Sequence, residues 1–125
     1  MVGGSHLMII IEILFNFIIA TLLCAVVHEG GHYLVAKCFG KTINFKLDIA
    51  KLFGWIPVPR GVWYMPEDLS KNKQKIVALS GFGMELIVSS LLWFAGWYYA
   101  YIVWFFHIGL YPFYAGEAND FKFLV

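Results

Sequence analysis

His28 and His32 stand four residues apart and bracket a glutamate in His28-Glu29-Gly30-Gly31-His32. On a helix, positions i and i+4 lie one above the other on a single face, so both imidazoles can reach one metal ion. Glu29 falls beside that face, where its carboxylate can take a proton from a water held by the metal. The pattern His-Glu-x-x-His is specific because three uncommon residue types must coincide. Chance alone produces it in well under about one per cent of chains this length. A catalytic zinc takes three protein ligands and keeps a fourth position open. His28 and His32 supply two. Asp120 is the preferred third, since it follows an irregular stretch that brings the chain back to the depth of the histidines. Glu85, His107, Cys24, Glu117 and Asn119 compete with it. Glu29 reads as the general base, and Glu85 and Asn119 as side chains that support the centre or face a substrate.

Plainer readings stand beside these. Cys24 lies one turn before His28, and a buried cysteine is commonly a small packing residue. His107 can be a satisfied packing histidine. Glu85 lies ten residues beyond Lys75 and can be an interfacial carboxylate. Gly30 and Gly31 each weaken a helix by about 1 kcal/mol relative to alanine. Either close helix packing or room beside a metal would account for them.

The element that carries the motif is apolar almost without interruption from Met8 to Val27. Across all 125 residues, hydrophobic types make up 61% and charged types 14%, and mean hydropathy is +0.74. A soluble domain is nearer half apolar and a quarter charged, and a chain this short has too much surface to hide the excess. These numbers point to an all-α integral membrane protein, multi-pass in the cell membrane, with the bilayer as its first partner. A net charge of +1 gives no case for nucleic acid. Met1–Leu7 reads as an expression-tag remnant, which removes His6 from the candidate ligands and leaves 8–125 as one domain. Cys24 and Cys38 fall about 21 Å apart along one helix and cannot pair with each other.

Helix one is expected over Met8–Phe39, stopped by Gly40, and at roughly 48 Å it exceeds the ~30 Å hydrocarbon core. His28 then lies about 13 Å inside the level of Lys37, which can snorkel to water. Eight of the nine basic residues fall between Lys37 and Lys75, which makes loop 41–75 cytoplasmic and the N-terminus external. Within that loop Thr42–Ile49 alternates apolar and polar, and Trp55–Pro59 and Gly61–Met65 can extend it. The expectation is a small interfacial β ribbon between helices one and two, with Trp55, Trp63 and Tyr64 at headgroup level and prolines at its edges. An exposed edge of the ribbon could pair with an unwound substrate. Pro66–Ser70 opens the next helix. Ile76–Phe113 would be about 57 Å long as one helix, so it should make two passes with a turn near Gly96–Tyr101. About three transmembrane helices result, with Pro112 ending the third and Tyr111–Asp120 irregular. An odd number of passes brings Asp120 to the side of His28 and His32.

These residues resemble the site-2 protease family of intramembrane zinc metalloproteases. His28-Glu29-Gly30-Gly31-His32-Tyr33-Leu34-Val35-Ala36 is similar to that family's His-Glu-x-x-His with a following alanine. Ile76-Val77-Ala78-Leu79-Ser80-Gly81 is similar to the opening of its next core helix. Gly109–Pro112 with Asn119-Asp120 is similar to its Asn-x-x-Pro…Asp-Gly region, so the resemblance covers nearly the whole chain from Met8. The resemblance implies zinc held by His28, His32 and Asp120, and a single metalloprotease core over 8–125. It also implies hydrolysis of a peptide bond in a membrane-spanning protein substrate by zinc-activated water, with Glu29 as base. Four positions depart from the pattern. Phe82 and Glu85 stand where the family has proline and asparagine, Gly109 where it has asparagine, and Phe121 where it has glycine. Five residues follow Asp120, as in a minimal or truncated core. Phe82, Glu85 and Phe121 motivate an alternative from another class: a catalytically inactive zinc-binding membrane protein.

Overall fold

The computed structural model describes residues 2–114 and 120–124. Three helices and a two-stranded ribbon follow in the order α1 (Val2–Cys38), β1 (Phe45–Leu52), β2 (Ile56–Trp63), α2 (Lys71–Phe94) and α3 (Tyr99–Tyr114), with a closing 3-10 turn at Asp120–Leu124. Two of the helices, α1 and α2, are long and apolar enough to cross a membrane.

Helix α1 begins at Val2 rather than at Met8. It stops where expected: Gly40 takes φ +79°, and Lys41 N–H reaches back to the Ala36 carbonyl at 2.9 Å, a left-handed C-terminal cap. Five consecutive residues, Leu7 to Ile11, are exposed. Five in a row cover the full circumference of a helix, so this end has no core-facing stripe.

Helix α2 starts at Ser70, whose hydroxyl accepts Lys73 N–H at 3.4 Å, and it runs back along α1. The two backbones come close at Gly31, where a Cβ would strike the Ser80 carbonyl. Gly30 has open space around it, so of the two glycines one serves packing and the other leaves room. Gly96, at φ +93°, turns the chain into α3. Trp97 Nε1–H donates to Asn16 at 3.0 Å and fixes that turn on α1. Pro112, expected to end α3, lies inside it, and the helix continues to Tyr114. At 16 residues, α3 is about 24 Å long and shorter than a full membrane pass.

The ribbon is antiparallel, with Phe45 opposite Trp63 and Leu52 opposite Ile56. The two extended segments expected at Trp55–Pro59 and Gly61–Met65 join into one strand, and Pro57 and Pro59 lie on it opposite Lys51 and Ile49, at an edge as expected. In a two-strand ribbon alternate N–H groups point away from the partner, and prolines two apart share that outward direction. Leu52 and Val58 share a cavity with Phe17, Thr21 and Cys24 of α1 and Val103 and Phe106 of α3. Phe53 at the ribbon tip meets Phe113. The ribbon therefore flanks the groove between α1 and α3. Its last residue, Trp63, is buried with Ala36, Ile43, Leu69 and Val77, while Trp55 and Tyr64 are exposed.

Candidate metal centre

His28 and His32 project from α1 toward α2 and are 3% and 0% exposed. Each ring has one nitrogen committed. His32 Nδ1–H donates to the Val77 carbonyl at 2.7 Å, and His28 Nδ1–H donates to Glu85 Oε1 at 2.6 Å. A carbonyl or carboxylate oxygen cannot donate, so in the neutral ring the proton sits on Nδ1 and Nε2 carries a lone pair. The two Nε2 atoms lie 3.1 Å apart. Asp120 Oδ2 lies 2.9 Å from the first and 2.7 Å from the second.

Three donor atoms thus converge in a buried place, where they repel unless a proton or a metal ion lies among them. Tetrahedral zinc with bonds of about 2.0–2.1 Å separates its ligands by ~3.3 Å, so the side chains need to spread by only a few tenths of an ångström. The donor set also suits zinc chemically, with two imidazoles, one carboxylate and both outer imidazole nitrogens donating to oxygen. These buried groups can hold a metal ion.

Asp120 is fixed from two further directions. Trp63 Nε1–H donates to Oδ1 at 3.1 Å, and the Asp120 N–H donates to the Tyr111 hydroxyl at 3.1 Å. The Trp63 ring also stacks against His32 at 4.5 Å. The floor of the centre is Gly81 on α2, where a Cβ would stand 2.6 Å from His32 Nε2 and 2.7 Å from His28 Nε2. Only glycine leaves the space between those atoms free.

Glu29 lies beside this cluster and outside it. Its side chain is half-buried, and Oε2 has no hydrogen-bond partner among the described residues. Gly61 on β2 makes its space, since a Cβ there would fall on the Glu29 carboxylate. A buried carboxylate oxygen without a partner is poised to accept a proton.

The structure therefore brings His28, His32 and Asp120 together, with Glu29 alongside. Glu85 is also at the centre, on the far side of His28. His107 touches Glu85, with Nδ1 2.9 Å from Oε1 and 3.0 Å from Oε2. His28, Glu85 and His107 form a second compact group of potential metal donors. In this group, however, protons on nitrogen already bridge to the carboxylate. Cys24 is buried one turn away and donates to the Ala100 carbonyl at 3.5 Å. His6 is exposed. Glu117 and Asn119 lie outside the described residues.

Sequence reasoning missed Trp63, Tyr111, Gly61 and Gly81. A glycine inside a strand marks a close approach by another group, and that signal was present at Gly61. Phe82, a departure from the family pattern, packs its ring against His28 at 4.5 Å and His107 at 4.9 Å. No family model, curated protein or solved structure matches the chain.

Proposed function

We propose that the chain is an intramembrane zinc metalloprotease that hydrolyses a peptide bond in a membrane-spanning substrate. The observation that carries this reading is the convergence of three buried donor atoms of His28, His32 and Asp120 beside Glu29, whose Oε2 has no partner among the described residues. The membrane setting rests on two helices of spanning length and on α1 residues exposed around the whole circumference, for which lipid is the matching solvent. On this reading the chain makes three passes, the short α3 being the third. The N-terminus is external and loop 41–75 faces the cytoplasm with the basic residues.

When bound, zinc lowers the pKa of water toward ~7 and polarises a carbonyl. His28, His32 and Asp120 hold the ion. The Val77 carbonyl and Glu85 keep the imidazoles aimed at it, and Trp63 keeps Asp120 from turning away. Glu29 takes the proton of the attacking water at Oε2 and passes it to the leaving amine. A membrane helix keeps its carbonyls hydrogen-bonded, so the substrate must unwind to present one. The β2 edge beside Glu29 lacks N–H donors at Pro57 and Pro59, so an unwound segment would pair on the β1 edge of the ribbon.

The test compares purified parent and Glu29→Gln in detergent or liposomes. Both should bind one zinc, and Glu29→Gln should cleave a membrane-embedded peptide about 10²–10⁴-fold more slowly. Equal cleavage by the two proteins removes Glu29 from the mechanism. Zinc binding with no cleavage by the parent favours the inactive zinc-binding alternative.

A further inference from the structure

Glu85 is 1% exposed and joins three helices at one carboxylate. It belongs to α2, receives His28 of α1, and receives His107 of α3. An ionisable group buried in an apolar bundle is expensive unless each oxygen is partnered. Here both oxygens are partnered, and both partners are imidazoles. His28 thereby keeps its proton on Nδ1 and its lone pair on Nε2, the tautomer a metal needs. His107 holds the carboxylate from the opposite side, and the Phe82 ring closes on both histidines. A charge argument points the same way. A divalent cation held by two neutral imidazoles and one carboxylate retains a positive charge, which low-dielectric surroundings disfavour. A second carboxylate, one imidazole removed from the ion, offsets that charge without occupying a coordination position.

We propose that Glu85 and His107 are positioning residues of the metal centre. Glu85 fixes the tautomer and orientation of His28 and balances the cation, and His107 acts through Glu85 without touching the metal. The inference rests on the metal-centre reading above and assigns a task to the residue that replaces the resembled family's asparagine.

The experiment measures zinc affinity by competition with a chromophoric chelator on the detergent-purified full chain. It also records the visible spectrum of Co²⁺ bound in place of zinc. Parent, Glu85→Gln, His107→Phe and the double variant are compared. Glu85→Gln should bind zinc about 10–100-fold more weakly and shift the Co²⁺ bands. His107→Phe should lose less. The double variant should bind within about twofold of Glu85→Gln alone, because one path carries both effects. Parent-like affinity and spectrum in Glu85→Gln overturn the proposal while the centre stands. Additive losses overturn the route through Glu85. If Glu85→Gln does not fold, His107→Phe decides, and an unchanged affinity and spectrum overturn the proposal. A parent that binds neither ion overturns both the centre and this role.

Discussion

Gly81→Ala adds one methyl group at the point where the proposed ligands meet. Its Cβ would stand 2.6 Å from His32 Nε2 and 2.7 Å from His28 Nε2, against about 3.5 Å for ordinary contact. Relief of roughly 0.9 Å must come from somewhere. The neighbours are imidazoles clamped at the Val77 carbonyl and at Glu85, so relief means swinging the rings away from the site. Without metal the rings can swing at the expense of those two hydrogen bonds. With metal they must stay, so the overpacking penalty of about 1–3 kcal/mol falls on the metal-bound state. That penalty corresponds to about 5–150-fold weaker zinc binding. Alanine meanwhile improves a mid-helix position by up to ~1 kcal/mol, so the fold itself should hold. Gly83→Ala is the matched control, since nothing lies within 4 Å of its Cβ position. It should show the helix gain alone. Zinc competition titrations and thermal unfolding by circular dichroism, run on parent and both variants, separate the two effects. Gly81→Ala binding zinc within about twofold of Gly83→Ala would refute the convergence of His28 and His32 over Gly81.

Gly61→Ala should act on chemistry and spare the metal. Its Cβ would fall on the Glu29 carboxylate, so peptide cleavage should drop by about 10-fold or more with zinc affinity at the parent value; lost zinc affinity would place Glu29 among the ligands instead. At the basic end of the molecule, the Lys41 ammonium beside Asp68 holds that carboxyl below the usual carboxylate range. A depressed folded-state pKa contributes stability above the unfolded value of about 3.9 and loses it as pH falls through the folded value. The difference in melting temperature between parent and Asp68→Asn should therefore be small and positive at neutral pH, shrink below about pH 4, and fade in high salt because the pair is exposed. A difference that does not change with pH would rule this pair out as its source.

What the sequence made legible follows from how local each signal is. His28 and His32 share a face because of helix geometry alone, so four residues of sequence suffice. The stop at Gly40 and the start at Ser70 are equally local. Asp120 required topology: it lies 88 positions from His32, and only the count of helices returned it to the same end. Glu85 stayed undecided between an interfacial and a cavity-facing role, because one hydropathy pattern fits both faces of α2. The contact of Trp63 with the site was not legible. An aromatic next to a basic loop suggests a headgroup anchor, and nothing local reveals that β2 carries its last residue against His32. Pro57 and Pro59 were legible as edge residues, because proline cannot donate to a ladder, and a ribbon with one pairing partner per strand leaves each an outward side.

The burial pattern of the molecule bears on why the site and the fold are hard to separate. Its largest fully buried side chains are His32, Glu85, Val77, Asp120 and Ser89, and four of the five are polar. A soluble domain of this size fills its interior with leucine and phenylalanine, because water drives them there. In lipid an apolar side chain gains little by turning inward, whereas a polar one must find a partner within the protein. On the membrane reading the interior goes by default to groups that need one another. Helix α1 reaches α2 through Glu85 and the Val77 carbonyl, and α3 reaches Asp120 through Tyr111. The ribbon reaches the Asp120 carboxylate through Trp63. Each of these four ties ends on a proposed metal ligand. Positioning the ligands and packing the helices are then one physical problem, and the close approach of α1 to α2 at Gly31 and Gly81 is the condition for both.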